Sequence, residues 1–240
     1  MKRHFGKWLT AAALAVGCTV MTANAFADTD GHWAESAINK WSGEYGIIQG
    51  YDDGTFRPDK SITRGAFAGI LDRFLHFQNA SPADTFSDTA GTYWEDAILK
   101  LHASGVYLGN NGQALAGDTI TRQQAVTMIA RAFNISGESA TVYYLDADQV
   151  ADYAKPYLAE MSALGYIRPT DAITRAEIVT ILDNMIEVLI QTSTTYTQDV
   201  EGTVMVNAAE GACLQDMTIT GDLILAPGVT GTVTLENVTI

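Results

Sequence analysis

The chain is poor in positive charge, in cysteine and in catalytic signatures, and each shortage excludes something. Fourteen Lys and Arg stand against 28 Asp and Glu, giving a formal net charge of −14. So acidic a surface argues against nucleic acid and anionic lipid, which both repel it. The cysteines are Cys18 and Cys213. Cys18 lies in a leader-like segment, so Cys213 is left with no partner for an internal disulfide. There is no G-x-S-x-G, no phosphate loop and no His-rich metal spacing, so the sequence reads as a non-enzyme with no cofactor and no metal. The acidic loops "DTDGHW" and "DDGTF" lack the alternating ligands and closing Glu of an EF-hand.

The apolar run "LTAAALAVGCTVM" is too short to span a membrane and follows a basic "MKRHFGKW". With the small residues of "ANAFA" behind it, residues 1–25 read as a secretory signal peptide, cleaved after Ala25 or Ala27. Its removal takes away Lys2, Arg3 and Lys7 and leaves a secreted remainder more acidic still.

What is present is a triplicated tripeptide. Ile-Thr-Arg stands at 62–64, 120–122 and 173–175. Each copy closes the same series: an aromatic-x-Asp opening ("FAD", "FSD", "YLD"), a helical pattern, a glycine stop and a loop. Gly46, Gly105 and Gly165 sit where a left-handed helix end is needed. The second helix of each unit carries an apolar stripe: Phe67, Ile70, Leu71, Phe74 and Leu75 in the first, Val126, Ile129, Ala130 and Phe133 in the second. Ile178, Ile181, Leu182, Met185 and Ile186 form the third.

The threonines have a local task. Thr174 with Glu177, and Thr121 with Gln124, spell capping boxes; Thr63 keeps the cap but has Ala66 at the reciprocal position. The isoleucine before each cap suits a hydrophobic staple. The arginines Arg64, Arg122 and Arg175 run against local preference, because the first helical turn disfavours a cation. Two readings stay open. One is a structural salt bridge, with Asp28, Asp88 and Asp146 available. The other is an anion-binding fork aided by free N–H groups at the helix start.

These residues, above all "HWAESAINKW…GIIQGYDDGTFRPDKSITR", resemble the S-layer homology (SLH) domain over residues 26 to about 190. The resemblance implies a mainly α fold: three helix–loop–helix repeats (26–80, 81–140, 141–190) in a pseudo-threefold bundle. It implies binding of secondary cell-wall polysaccharide, often carrying pyruvate ketals, in grooves between the prongs, and a place in the cell wall or surface layer. By the same resemblance Arg64, Arg122 and Arg175 face the acidic ligand, and Asp28, Asp88 and Asp146 are the acids near each repeat start. The family's Trp corresponds to Trp33 and Trp94, and Gly50 and Gly109 let backbone approach sugar. A guanidinium meets a carboxylate in two parallel hydrogen bonds, and an indole offers a face to a pyranose ring. For the two tryptophans, core packing is the competing reading. Tyr153 stands where repeat three would have its Trp, and the loop there shrinks to "RPTDA". Gly65 replaces the usual alanine at a helix-propensity cost of roughly 1 kcal/mol.

After a polar, Thr-rich linker at 191–199, residues 200–240 change texture to short β-type runs cut by Gly and Pro. Leu214-Gln-Asp-Met-Thr-Ile219 matches Leu235-Glu-Asn-Val-Thr-Ile240, the pattern of successive coils of a parallel β-solenoid. Cys213 aligns with Thr234. A coil end is an open strand edge, so the sequence is read either as a fragment of a longer protein or as one whose tail pairs with something. The competing functions are a self-assembling surface-layer or adhesin subunit and attachment of an envelope protein to peptidoglycan.

Overall fold

The structure is a computed structural model, and it describes residues 26–135, 149–157 and 170–240. Residues 1–25, read above as a signal peptide, and Asp146 and Gly165 therefore lie outside the described residues. Helix α1 (Glu35–Ile38) runs into a π-helical turn at Asn39–Glu44. It is followed by α2 (Arg64–Leu75), α3 (Glu95–Ala103), α4 (Arg122–Ala132) and α5 (Arg175–Met185).

The three Ile-Thr-Arg segments meet each other. The Ile62 N–H donates to the Ile173 carbonyl at 3.2 Å, Ile173 to Ile120 at 3.2 Å, and Ile120 back to Ile62 at 3.0 Å. All three isoleucines are buried. The next link is cyclic too: the N–H of Arg64 donates to Asp118 O, that of Arg122 to Asp171 O, and that of Arg175 to Lys60 O. The acceptor in each case lies four residues before the neighbouring unit's own arginine. Each helix start is therefore satisfied by the adjacent repeat. The expectation of free N–H groups at these helix starts is corrected here: buried backbone donors find partners, and ring closure supplies them.

Local caps complete the helix starts. The Thr63 hydroxyl accepts from Ala66 N–H at 3.2 Å. Thr174 makes both arms of its box, and Gln124 Oε1 accepts from the Thr121 N–H at 3.1 Å. The apolar stripes of α2, α4 and α5 line one continuous core that extends to Leu189, Met205 and Ala226.

The C-terminal part consists of two small parallel sheets. Strands β1 (Val188–Ile190), β3 (Val204–Val206) and β5 (Leu223–Leu225) form one; β2 (Thr195–Tyr196), β4 (Gly211–Thr218) and β6 (Thr232–Thr239) form the other. Leu214 pairs with Leu235 and Cys213 with Thr234, the register the sequence pattern calls for. The β structure starts earlier than the sequence suggests. β1 begins three residues after α5 ends, and β2 lies inside the stretch read as a linker, where β-branched threonines pair with β4. Buried Asn207 donates its amide to Phe74 O at 3.1 Å, and Gly228 N–H donates to Leu75 O at 3.0 Å. Two orphan carbonyls at the end of α2 are thus capped by the β region.

Candidate functional site

The arginines of the three repeats have three different fates. The Arg64 Nε donates to the Ala114 carbonyl of repeat two at 3.0 Å, and its guanidinium lies 4.9 Å from the centre of the Tyr107 ring. Burial pushes the Tyr107 phenol up, against the pull of Arg64. No carboxylate lies within 4 Å of Arg64 among the described residues. Arg175 is 7% exposed and donates to Phe56 O (2.7 Å) and Gln49 O (2.6 Å), with Tyr51 and Phe56 rings beside it. Burial lowers its pKa, and no ion pair to it is found among the described residues. Arg122 alone of the three is ion-paired, to Asp171 at 3.2 Å and to Glu177. The salt-bridge reading therefore holds for Arg122, with partners other than Asp28, Asp88 or Asp146.

Arg64 lies in a groove of about 560 Å³. Its walls include Tyr107, Gly109 and Asn110 of repeat two, Gln124 and Arg131 of α4, and Tyr153 of repeat three. Burial raises the Tyr153 pKa, while Arg64 and Arg131 pull it the other way. Two cations, Arg64 and Arg131, aromatic edges and one carboxylate, Asp118, thus line one concave surface.

Asp28 and Asp88 have a different role from the one expected. The Asp28 carboxylate accepts from the Phe56 and Arg57 N–H groups (2.8 and 2.7 Å); Asp88 accepts from Ala114 and Leu115 (2.7 and 2.8 Å). The second donor in each pair sits at a φ of 57°. Each acid clamps a left-handed turn in its own loop with one hydrogen bond to each of its oxygens. Desolvation pushes both carboxyls up, but the backbone N–H groups outweigh it and hold them below the ordinary value.

Gly50 and Gly109 face aromatic rings. A Cβ on Gly50 would stand 2.1 Å from the Phe26 ring, and one on Gly109 2.4 Å from Phe86. The close approach these glycines permit is to the repeat-opening phenylalanine, although Gly109 also lines the groove.

The tryptophans are not equivalent. Gly31 N–H donates to Glu35 and Gly91 N–H to Glu95. That shared turn sets Trp33 opposite Tyr93, and Trp94 opposite buried Ala34. Trp33 is 63%, Tyr93 80% and Tyr153 47% exposed. Trp94 instead packs on α2 at Gly65 and Gly69. Core packing is the right reading for Trp94, and Tyr93 takes the exposed position.

A family model for the S-layer homology domain matches residues 25–68. This segment of the chain is an S-layer homology domain. Over 203 residues, 80% of this chain, it is 27% identical to the surface-layer 125 kDa protein of Lysinibacillus sphaericus, and covers 16% of that protein. It is 35% identical over 108 residues to a cellulosome-anchoring protein of Acetivibrio thermocellus, 42% of this chain and 24% of the relative. An amylopullulanase of Thermoanaerobacterium thermosulfurigenes is 25% identical over 177 residues, 68% of this chain and 9% of the relative. The chain thus spans under a quarter of the length of each of these relatives. No helix among the described residues is long and apolar enough to cross a membrane, and no cluster of three or more His, Cys, Asp and Glu side chains is found there.

Sequence reasoning missed Tyr93, Tyr107, Arg73 and Arg131. The signal was there for the last two, since each stands nine residues after an Ile-Thr-Arg arginine.

Proposed function

We propose that this chain anchors a secreted protein non-covalently to the bacterial cell wall, its SLH repeats binding a secondary cell-wall polysaccharide that carries a carboxylate, such as a pyruvate ketal. The protein belongs at the cell surface. The observation that carries the reading is Arg64, without a carboxylate partner among the described residues, in a groove walled by Tyr107 and Tyr153. Such a fork meets a sugar carboxylate locally, so an acidic protein can bind an acidic polymer without a basic field. Arg175 offers a comparable centre, whereas the pairing of Arg122 with Asp171 and Glu177 leaves the third groove without a free fork.

The cyclic contacts among the Ile-Thr-Arg segments support a pseudo-threefold bundle with grooves between its prongs. The in-register parallel strands support reading residues 188–240 as the first coils of a β-solenoid. The relatives' names span a surface layer, an anchoring protein and an enzyme, which fits a shared anchoring segment with no catalysis of its own. A second reading, self-association as a surface-layer subunit, is favoured by the likeness to the surface-layer 125 kDa protein.

Co-sedimentation with cell-wall sacculi, before and after stripping the secondary polymer, tests the anchor. Binding is expected to vanish on stripping and to weaken in Arg64→Ala. Binding that survives stripping makes peptidoglycan the target. A folded chain that binds neither but self-assembles at micromolar concentration establishes the second reading.

A further inference from the structure

We propose that Arg131, at the far end of α4, is the second half of the anion site that Arg64 begins, the two guanidiniums closing on one oxyanion substituent of the ligand from opposite walls of the groove. This inference rests on the wall-polymer reading and adds a binding residue to it. Both arginines line the same groove, Arg64 from the start of α2 and Arg131 from the last turn of α4. Tyr153 stands within electrostatic reach of both. Arg131 has no carboxylate within 4 Å among the described residues, and its guanidinium lies 5.8 Å from the centre of the Tyr157 ring.

A plainer account exists: a cation at a helix C-terminus complements the macrodipole. That account predicts a basic residue at the end of α5 as well as of α2 and α4. The chain itself contradicts it. α2 ends with Arg73 and α4 with Arg131, but α5 has no basic residue in its last turn and carries Asn184 at the matching position. The exception falls in the groove whose first arginine, Arg122, is neutralised by Asp171 and Glu177. Glu177 there replaces the Gln124 that lines the Arg64 groove. So the second arginine is missing where the first is already satisfied, and present where the first is free.

The surroundings of Arg175 follow the rule. Arg73 Nε donates to Ile47 O at 2.8 Å, and Arg175 donates to Gln49 O, two residues along the same segment. Both are held by neutral carbonyls, and neither has a carboxylate within 4 Å among the described residues. Two desolvated guanidiniums on one segment repel each other unless an anion joins them. A carboxylate or a phosphate group on a sugar meets that requirement, since either offers oxygens to both forks.

The test is calorimetric titration of the full chain with a short fragment of the wall polysaccharide bearing one anionic substituent. Fragments with a ketal carboxylate and with a phosphate form separate arms. Arg131→Gln and Arg73→Gln are each expected to remove one of two binding events, or to weaken it at least tenfold (about 1.4 kcal/mol), in chains that circular dichroism shows to stay folded. Arg131→Lys keeps the charge without the fork and should recover part of the loss. If Arg64→Ala abolishes a site while Arg131→Gln leaves both intact, the second-arginine proposal fails and the anchor reading stands. If the parental chain binds neither fragment, the anchor reading falls with it.

Discussion

The indole of Trp94 occupies the space a side chain on Gly65 would need: a Cβ there would lie 2.4 Å from the Trp94 Cδ1. Gly65 is buried in the first turn of α2, and Gly69, one turn on, has the same ring 2.8 Å from its own Cβ position. The glycine that looks like a weakness in the helix is what lets α2 and the start of α3 approach.

Gly65→Ala therefore should destabilise, although alanine is the better helix former by about 1 kcal/mol. Overpacking against the indole is expected to outweigh that gain, for a net loss of about 1–2 kcal/mol. Chemical denaturation of Gly65→Ala, Trp94→Ala and the double variant checks it. The double variant should be less impaired than the two single losses added together. Strict additivity would mean the contact carries no energy.

Asp88 and Asp28 make stability depend on pH in a defined direction. Their carboxyls titrate below the ordinary 3.8 in the fold. The charged form is thus favoured by folding, so this stabilisation is complete above the ordinary value. It is lost as pH falls from there through the lower folded value. Urea midpoints measured from pH 6 downward should drop on acidification, and Asp88→Asn should flatten the drop while lowering the neutral midpoint. An Asp88→Asn chain with the parental acid profile would assign that profile to other groups.

Removing Arg122 should affect folding rather than binding. Its pairs with Asp171 and Glu177 join repeats two and three, and its side chain is 15% exposed. Arg122→Ala is expected to cost about 1–3 kcal/mol, the range for charge-assisted bonds, with polymer binding within twofold of the parent. Loss of binding from a chain that stays folded would place the third groove among the binding sites.

Asn207 ties the β region to α2 through Phe74 O. Asn207→Ala should expose that carbonyl and speed amide exchange across β3, at a stability cost of about 1–2 kcal/mol. Exchange that stays as slow as in the parent would mean the shared apolar core around Leu189 and Met205 holds the junction alone.

What could be read along the chain was whatever depends on near neighbours. The helix starts at Thr63, Thr121 and Thr174, the stops at Gly46 and Gly105, and the apolar stripes follow from spacings of a few residues. The pairing of Leu214 with Leu235 was legible too, because an in-register parallel strand pair places like residues on like at a fixed offset. The repeat opening misled by one residue: a tryptophan at 94 invites matching with Trp33, while the Gly91–Glu95 turn puts Tyr93 there.

The tertiary structure decided what the three identical tripeptides do. Arg64, Arg122 and Arg175 look alike locally, and their partners lie 50, 49 and 55, and 119 and 126 residues away. Closing the ring of Ile62, Ile120 and Ile173 brings each arginine against the loop of a different repeat, and those loops differ. Where the neighbour places Asp171 and Glu177 against it the charge is paired; Arg64 and Arg175 instead donate to carbonyls beside aromatic rings, with no carboxylate within 4 Å among the described residues. Capping is set by a few adjacent residues, whereas the counter-ion of a side chain is set by whatever the chain's closure places beside it.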